Sequence, residues 1–360
     1  MKIFTVVGTR PEIIRLSRII PLLDEFCDHT LIHTGQNYDD SLSEVFFREL
    51  AIRKPDEFLQ VQSSKPGEQI GQILTKFEEL VRADRPDRLL LLGDTNSALT
   101  AIIAKKYGIP VYHMEAGNRC FDDRVPEEAN RRIVDHCSDV LLPYTQNSKA
   151  NLLREGIEPR RIFVTGNPIK EILMENMPAI DASEILKELT LSPNDYFLST
   201  FHRAENVDDP ERLGQIVQAL SRLSVEHSKQ VIISTHPRTQ SKLGELERSL
   251  PGLTFIAPFS FFNFVKLEKN AHCVITDSGT VQEECNIIGV PNVTIRDCTE
   301  RPETIEAGSN SFVGTGETLL STAVAFALRA GSDWEKIPEY EKTCVSTVVV
   351  KLLLSATLRP

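Results

Sequence analysis

Three carboxylates share a placement that suits acid–base chemistry. Asp94 and Glu115 each stand at the carboxyl end of an apolar run, and Glu127 lies in the first turn of a predicted helix that Pro126 opens. When carboxylates are crowded in a closed site, the pKa of one rises, so that one can act as an acid and another as a base. Such a group could move a proton on carbon, which needs a base on one face and an acid for the leaving group or the opposite face.

A structural interpretation of the same residues stays open at this point. Asp94 could cap the helix predicted over residues 95–106, and the acids after Pro126 could match the helix dipole without any further role. Near the N-terminus, Thr9-Arg10-Pro11-Glu12 has the pattern of a capping box. This pattern places Arg10 where a side-chain cation and free backbone N–H groups could face an anion.

A second group of residues, in the later half of the chain, is typical of phosphate binding. Asp277-Ser278-Gly279-Thr280 predicts a turn from strand to helix, whose glycine allows close backbone approach and whose free N–H groups suit a phosphate. Arg10, His202 and Arg301 could add charge-assisted hydrogen bonds to a diphosphate. For any one of these residues, ordinary surface polarity is the alternative.

Two further side chains could bind the rest of a nucleotide. Glu284 could accept hydrogen bonds from ribose hydroxyls, and Phe264 could stack on a base. The alternatives are a solvated helix acid for Glu284 and ordinary core packing for Phe264.

Most of these polar residues directly follow a predicted strand. In open parallel α/β sheets, ligands bind outside the carboxyl ends of the strands. Polar residues placed at random on the surface would not cluster after strands, so their placement favours a functional interpretation. It is shared by Arg10, Asp94 and Glu115 in the first half and by His202, His236, Ser278, Gly279 and Arg301 in the second.

The order of the elements predicts an α/β fold with two Rossmann-like, doubly wound domains and a cleft between them. Apolar strands, among them residues 88–92, 161–165, 196–200 and 273–276, alternate with amphipathic helices, the first through residues 13–23. The pattern breaks near Met177, where Pro178 is a helix breaker, and then restarts. We therefore expect an N-terminal domain over residues 1–170 and a C-terminal domain over residues 171–344.

Composition excludes several classes of protein. The chain has 360 residues and a net charge of -11, which argues against nucleic-acid and membrane-surface partners. Its seven scattered cysteines, without a Cys-x-x-Cys pair, are typical of reduced, cytoplasmic thiols. We find no signal-peptide pattern and no apolar run near the roughly 20 residues of a membrane span. The spacing of His and Cys suggests no metal, and the dinucleotide-binding glycine pattern is absent, so we expect no cofactor.

Taken together, the motifs resemble those of one family, the non-hydrolysing UDP-N-acetylglucosamine 2-epimerases. Each motif is weak alone, but they come in the family's order over nearly the whole chain. The matching segments are Val7-Gly8-Thr9-Arg10-Pro11-Glu12, Gly93-Asp94-Thr95, His113-Met114-Glu115-Ala116-Gly117, Pro126-Glu127-Glu128-Ala129-Asn130-Arg131, His202-Arg203, Asp277-Ser278-Gly279, Gln282-Glu283-Glu284 and Glu300-Arg301-Pro302-Glu303.

This resemblance implies the GT-B type of fold, in which a final helix, about residues 345–360 here, packs back on the first domain. It implies inversion at C2 of a UDP-HexNAc, UDP-GlcNAc to UDP-ManNAc, by anti elimination of UDP and re-addition, for surface polysaccharide precursors. It also implies a cytoplasmic homodimer without metal or redox cofactor.

The resemblance also assigns roles to residues by position. The implied catalytic residues are Asp94, Glu115, Glu127 and His202. The implied ligands of the UDP-sugar are Arg10, Arg15, His236, Phe264 near the uracil, Ser278, Gly279, Thr280, Glu284 and Arg301.

Departures from the family's common pattern bear on the substrate. Arg15 replaces a common Lys, and Thr280 replaces a common Gly. Gln36-Asn37-Tyr38-Asp39 differs from the region that binds a second, activating UDP-GlcNAc in some members, so we do not expect activation. Two segments resemble the subgroup of the UDP-L-FucNAc pathway: Ile13-Ile14-Arg15-Leu16-Ser17 and Asn118-Arg119-Cys120-Phe121-Asp122. UDP-2-acetamido-2,6-dideoxy-L-talose is therefore an alternative substrate.

Two alternatives to an epimerase also stay open. The chain could be a GT-B glycosyltransferase that uses a UDP-sugar donor, or a non-catalytic UDP-sugar sensor.

Overall fold

The computed structural model describes residues 1–36, 40–63, 65–244, 250–314 and 316–355. Asn37, Tyr38 and Asp39, from the segment considered for a second UDP-GlcNAc, lie outside the described residues, as do residues 356–360 of the predicted last helix. The chain divides into two compact units. The first comprises Met1–Met174 and Glu339–Pro360, and the second comprises Glu175–Pro338.

A six-stranded parallel sheet forms the centre of the first unit in its described residues. Its strands are β1 (Lys2–Val7), β2 (Asp28–His33), β3 (Glu57–Phe58), β4 (Arg88–Leu92), β5 (Val111–Met114) and β6 (Val140–Leu142). Their order across the sheet is β3-β2-β1-β4-β5-β6, as in Rossmann-type sheets. Leu89, Leu90 and Leu91 of the central strand β4 are fully buried, which explains its continuous apolar sequence.

Helices connect the strands of the first unit. In α4, Ile73, Phe77 and Val81 are buried at intervals of one helical turn, so one face packs on the sheet and the other faces water. The helices are α1 (Arg10–Leu16), α2 (Ile19–Phe26), α3 (Asp40–Glu49), α4 (Pro66–Ala83), α5 (Thr100–Lys106), α6 (Glu127–Cys137), α7 (Gln146–Arg154) and α8 (Ile169–Ala182), which extends into the second unit.

The second unit has the same type of sheet. Its described strands are β7 (Tyr196–Thr200), β8 (Gln230–Ser234), β9 (Leu253–Ile256), β10 (Cys273–Thr276), β11 (Asn292–Thr294) and β12 (Asn310–Phe312), in the order β12-β11-β10-β7-β8-β9. Its helices are α9 (Ile185–Glu188), α10 (Ala204–Val207), α11 (Pro210–His227), α12 (Pro237–Leu243), α13 (Phe261–Asn270), α14 (Gly279–Ile288), α15 (Pro302–Glu306) and α16 (Glu317–Ala330). The prediction of two doubly wound parallel sheets is confirmed.

Three local predictions were wrong. Residues 161–165 were predicted as a strand but form only a single bridge, between Leu141 and Ile162. Their first residue, Arg161, belongs instead to the 3-10 turn Pro159–Arg161. Residues 13–23 form two helices rather than one, since Ser17 turns its N–H to the carbonyl of Ile14 and ends α1.

The third error concerns Pro178, which lies inside α8 rather than ending a helix. A proline leaves the carbonyl four residues before it without its usual helical partner. That residue is Met174, which is 58% exposed, so water can reach its carbonyl. No helix among the described residues is long and apolar enough to cross a membrane.

A last helix, α17 (Val345–Leu354), belongs to the first unit. At its start, Ser346 donates its N–H (3.0 Å) and its hydroxyl to the Glu171 carboxylate. At its end, Arg88 donates to the carbonyls of Leu353 and Ser355, the latter at 2.9 Å. A cation at a helix C-terminus also compensates the helix dipole, so Arg88 fixes α17 to strand β4.

Replacement of Arg88 should loosen this end of the first unit. We expect Arg88→Met to lower the free energy of unfolding by about 1–3 kcal/mol, because two terminal carbonyls lose a charged donor. Circular dichroism in a denaturant series would measure the loss, and hydrogen exchange would show faster exchange in residues 345–355.

The matched control is Arg82→Met, since Arg82 is exposed and makes no hydrogen bond among the described residues. It should change stability by no more than about 0.5 kcal/mol. Equal effects of the two substitutions would mean that packing alone holds the end of α17.

Candidate active site

In the first unit, an acid joins two loops at the point where the strand order reverses. This point lies between β1 and β4, and ligands bind there in sheets of this type. Glu12 follows β1 and is buried. Its carboxylate accepts hydrogen bonds from the backbone N–H of Gly8 and of Thr9 (2.8 Å), and from the hydroxyl of Thr95 (2.6 Å) in the loop after β4. Glu12 thus links the loop that carries Asp94 to the loop that directly precedes Arg10 and α1.

The pKa of Glu12 is unusual for a capping residue. Burial raises the pKa of Glu12 to about 7, and the charge of Asp94 adds to the rise. The hydrogen bonds from Thr95, Gly8 and Thr9 act in the opposite direction without cancelling it. The capping-box prediction is confirmed in its contacts. It did not foresee a buried acid that titrates near neutral pH.

Asp94 is held by a buried arginine. Arg131 on α6 donates from Nε (2.8 Å) and Nη2 (2.7 Å) to Oδ2 of Asp94. The interpretation of Asp94 as a helix cap is wrong, because Thr95 is the residue that precedes the 3-10 helix Asn96–Leu99. Asp94 therefore forms an ion pair with Arg131 of α6 and does not cap a helix.

The first turn of α6 contains two acids with different surroundings. Glu128 is buried, pairs with Arg131 (2.6 Å) and accepts from the backbone N–H groups of Cys120 and Phe121, each at 3.2 Å. Glu127 is half-buried and has no hydrogen bond or ion pair among the described residues. Glu128 therefore holds the preceding loop, while Glu127 keeps its carboxyl oxygens available.

Glu115 has a strained backbone and a fixed side chain. Its φ of 64° lies in the left-handed region, which is uncommon for residues other than glycine. One carboxylate oxygen pairs with the buried Arg15, and the other accepts from the amide of Asn118 at 3.0 Å. Arg10, at the start of α1, lies 5.7 Å over the ring of Phe46. Of the predicted residues in this unit, Arg15 and Glu115 are thus in direct contact.

A buried aspartate fixes the loop that follows Glu115. Asp135 accepts from the N–H of Gly117 (3.1 Å), from Arg119 (2.8 Å) and from a ring nitrogen of His113 (2.8 Å). Burial alone would raise the pKa of Asp135, but His113 and Arg119 outweigh it and hold that pKa below its usual range. The backbone around Glu115 is therefore set by an ionised acid that stays in the interior.

In the second unit, another buried aspartate organises the reversal point between β7 and β10. Asp277 accepts from the N–H groups of His202 (3.0 Å) and Arg203 (2.9 Å) and from the amide of Asn206 (2.9 Å). Burial raises the pKa of Asp277, and these donors counteract the rise. The rings of His202 and His236 lie 5.3 Å apart, so two predicted histidines are neighbours.

The predicted phosphate turn is formed at the start of α14. Ser278 precedes the helix and Gly279 is its first residue. The side chain of Arg301 lies across Gly279, where an added Cβ would come within 3.7 Å of its guanidinium carbon. Glu283 pairs with the same guanidinium. The structure therefore brings Ser278, Gly279 and Arg301 together, with Thr280 in the first turn of the helix.

The two remaining predicted ligands lie on neighbouring helices of this unit. Glu284 on α14 is only 3% exposed, so the interpretation as a solvated helix acid is wrong. Phe264 on α13 is half-buried and packs against the hydrophobic core. Among the described residues, no group of three or more His, Cys, Asp or Glu side chains could hold a metal ion.

Comparison with known proteins decides the family. The sequence model of the family described as UDP-N-acetylglucosamine 2-epimerase matches residues 23–353. The chain belongs to this family. A UDP-N-acetylglucosamine 2-epimerase of Methanocaldococcus jannaschii is 42% identical over 93% of this chain and 94% of its own length. The resemblance found in the sequence is confirmed.

A solved structure and a second relative from this epimerase family bear on fold and substrate. The crystal structure of the M. jannaschii UDP-GlcNAc 2-epimerase in complex with UDP-GlcNAc and UDP superposes with a TM-score of 0.93 at 40% identity, covering 98% of this chain and 99% of that one. A UDP-2,3-diacetamido-2,3-dideoxy-D-glucuronate 2-epimerase of Pseudomonas aeruginosa is 36% identical over 89% of this chain and 90% of its own. The family therefore includes epimerases of more than one UDP-sugar.

Sequence reasoning missed the residues that fix the acids of this epimerase. Arg131 was noted only as part of a motif, although its partner Asp94 is 37 positions away. Asp135 reads as an ordinary helix acid in the sequence. One signal was available: Arg131 and Asp135 are one helical turn apart on α6, so they share the face that contacts β5 and the loop after β4.

A Glu12→Gln variant should change how stability depends on pH. In the unfolded chain Glu12 loses its proton near its ordinary pKa of 4.5, whereas in the folded chain it keeps it to about 7. The folded state is therefore penalised as pH rises through this window, by up to about 3 kcal/mol, and the penalty stays constant above it. Gln can accept from Gly8 and Thr9 and donate to Thr95, so the variant lacks the penalty.

Urea unfolding of both proteins between pH 4.5 and 8 measures this effect. The difference in unfolding free energy, wild type minus variant, should fall across the window and then level off. A difference that stays constant with pH would contradict the assignment of a raised pKa to Glu12.

Proposed function

We propose that this chain inverts the configuration at C2 of a UDP-N-acetylhexosamine, interconverting UDP-GlcNAc and UDP-ManNAc. The observation that carries the proposal is the pair Asp94 and Glu115. Each is a carboxylate held by a buried arginine at the carboxyl edge of the first sheet, in a member of an epimerase family. The product serves as a precursor of surface polysaccharide in this proposal.

The proposed reaction balances without an oxidant or reductant. A carboxylate removes the C2 proton, and the electron pair of that C–H bond forms a C1–C2 double bond. The C1–O bond breaks, and UDP leaves with its electrons from the opposite face. UDP then adds back to C1, and C2 receives a proton on its other face. The enzyme must therefore hold a base, an acid and the departing UDP.

The surroundings of the three carboxylates suggest a division of these tasks. Arg131 and Arg15 stabilise negative charge on Asp94 and Glu115. Glu127 receives no such hydrogen bond among the described residues, so its carboxyl oxygens stay available to a substrate. We infer that Glu127 supplies protons and that the base is one of the two carboxylates fixed by arginine.

The second unit supplies groups suited to UDP. The backbone N–H groups at the start of α14 and the guanidinium of Arg301 would bind the diphosphate. His202 and His236 lie together after neighbouring strands and would stabilise charge on the leaving group. In this proposal Thr280 lies beside the diphosphate, Glu284 accepts from the ribose and Phe264 contacts the uracil.

A second candidate substrate is UDP-2-acetamido-2,6-dideoxy-L-talose, which would give UDP-L-FucNAc. The observation in its favour is the polar loop after Glu115, where Asn118 donates to the catalytic candidate and accepts from Ser148 at 2.8 Å. This loop belongs to the segments that resemble the subgroup acting on 6-deoxy sugars. The epimerase of P. aeruginosa shows that relatives of this chain act on different sugars.

We further propose that the protein is a cytoplasmic homodimer. None of its seven cysteines is in a disulfide, which fits a reducing compartment. The dimer follows from the family resemblance, and sedimentation equilibrium would test it.

Solvent exchange distinguishes the candidate functions. We expect deuterium at C2 when the protein is incubated in deuterated water with its own UDP-sugar and no acceptor. UDP-GlcNAc, the 6-deoxy-talose donor and the diacetamido-glucuronate donor should be assayed side by side by NMR. Transfer that needs an acceptor would indicate a glycosyltransferase, and tight UDP binding without exchange on any donor would indicate a sensor.

Substitution of the carboxylates should separate chemistry from nucleotide binding. We expect Asp94→Asn and Glu127→Gln to lower kcat by about 100-fold or more, as loss of a general acid or base does. Their affinity for UDP, measured by calorimetry, should stay close to that of the wild type.

Asp123→Asn is the matched control, because Asp123 is an acid of the neighbouring loop whose side chain is 86% exposed. It should retain full turnover. If both site variants lose UDP binding, or both keep their turnover, the acid–base roles are wrong.

A further inference from the structure

One buried histidine lies between the loops that carry two candidate catalytic acids. His113 is on β5, two residues before Glu115, and is only 1% exposed. Its ring nitrogen Nδ1 lies 2.8 Å from Oδ1 of Asp135 on α6. The other nitrogen, Nε2, lies 2.8 Å from the carbonyl oxygen of Gly93, which directly precedes Asp94. The ring therefore contacts both α6 and the loop after β4.

Both partners of the His113 ring are acceptors, which determines where its protons lie. The Gly93 carbonyl can only accept, so Nε2 carries a proton and donates it. A second proton must lie between Nδ1 and the Asp135 carboxylate, because two lone pairs 2.8 Å apart would repel each other. Asp135 also accepts from the N–H of Gly117 and from Arg119, and these donors favour its ionised form. The second proton is therefore better placed on Nδ1, as in an imidazolium.

The charges around the ring point the same way. Arg119 bridges the carboxylates of Asp135 and Glu155, at 2.8 Å and 2.6 Å. When Asp135 is ionised, an imidazolium at His113 balances this cluster of one further cation and two anions. A neutral ring would leave one negative charge uncompensated beside a fully buried aspartate, which is costly in the interior.

The contact with Gly93 fixes the backbone that leads to Asp94. Gly93 has a φ of 76°, in the left-handed region that glycine adopts readily, and glycine is otherwise the most flexible residue. Its N–H donates to the carbonyl of Met114 on β5 at 3.1 Å, and its own carbonyl accepts from His113. Both backbone polar groups of Gly93 are thus bonded to β5, so the peptide before Asp94 is held from both sides.

We propose that His113 is a positioning residue for the acid–base step, whose imidazolium donates to the Gly93 carbonyl and so fixes the loop of Asp94 against β5. The inference rests on the proposed function, in which Asp94 takes part in proton transfer. Because His113 is buried, it acts through Asp94 rather than by contact with the sugar. A charged donor holds the carbonyl more strongly than a neutral one, which gives the second proton its purpose.

Nuclear magnetic resonance tests the protonation of the ring directly. Proton–nitrogen correlation spectra of the full-length wild type, isotopically labelled at its eight histidines, are recorded at neutral pH. We expect a ring with a proton on each nitrogen, both exchanging slowly with solvent because the ring is buried. The signal is assigned to His113 by its loss in a His113 variant. If no histidine ring shows two such protons, the inference is overturned, whether or not the variants fold.

Two substitutions separate the two hydrogen bonds of the ring. The amide nitrogen of Asn lies near the position of Nδ1, and that of Gln near the position of Nε2. We expect His113→Asn, which loses the bond to Gly93, to lower kcat for deuterium exchange at C2 by about 10- to 100-fold, because a misplaced catalytic group has an effect of this size. Its affinity for UDP, measured by calorimetry, should not change. His113→Gln keeps a donor for the Gly93 carbonyl and should retain most of the turnover.

His29→Asn is the matched control. The ring nitrogens of His29 also face an aspartate, Asp24 at 2.6 Å, and a second protein oxygen, the hydroxyl of Thr5 at 2.9 Å. His29 lies near the start of β2, whereas ligands bind at the carboxyl ends of parallel strands. The control should lower stability and leave kcat unchanged. Equal losses of kcat in the two His113 variants, or a loss of the same size in His29→Asn, would indicate general structural damage and overturn the inference.

The experiment also separates this inference from the function on which it rests. If the wild type exchanges no hydrogen at C2 with any of the three UDP-sugar donors, the proposed function fails, and the catalytic role of His113 fails with it. If the wild type exchanges and His113→Asn turns over equally, or if the ring carries a single proton, only the role of His113 is overturned.

Discussion

A carboxyl group can stay inside a protein only where hydrogen-bond donors are directed at it, and the loops of both units depend on this constraint. Asp135 in the first unit and Asp277 in the second are each fully buried. Each accepts hydrogen bonds from the backbone of a loop that carries candidate site residues: Asp135 from Gly117, and Asp277 from His202 and Arg203. The two units thus use the same device, in which an interior acid fixes the shape of a loop at the sheet edge.

This constraint also accounts for the strain at Glu115. A left-handed backbone costs free energy in a residue other than glycine, and it persists only when the surroundings impose it. Here the loop is held at Gly117 by Asp135 and the side chain is held by Arg15 and Asn118. The carboxylate is consequently in place before any substrate arrives. Such preorganisation avoids a reorganisation cost during reaction.

Much of the fold could be predicted from the sequence, because its signals are local. The apolar strands of parallel sheets are continuous in sequence, and β4, β7 and β10 have their predicted bounds. Asp94, Glu115 and His236, which were predicted to follow strands, do follow β4, β5 and β8. Partners were not foreseen, since Arg131 meets Asp94 only after the sheet forms. Likewise the sequence predicts only an ordinary capping acid at Glu12, because burial is a property of the folded chain.

The first unit is assembled from both ends of the chain, with the second unit inserted between them. During synthesis, residues 339–355 are made after the whole of the second unit, so α17 reaches Arg88 and Glu171 only after residues 175–338 have been made. The second unit is continuous in sequence and can finish its own sheet earlier, as domains generally fold as they emerge. A chain that stopped before α17 would leave exposed the apolar surface of α2 on which α17 packs. Chaperones and proteases would then have access to that surface. The α17 helix thereby makes synthesis of the second unit a condition for a complete first unit.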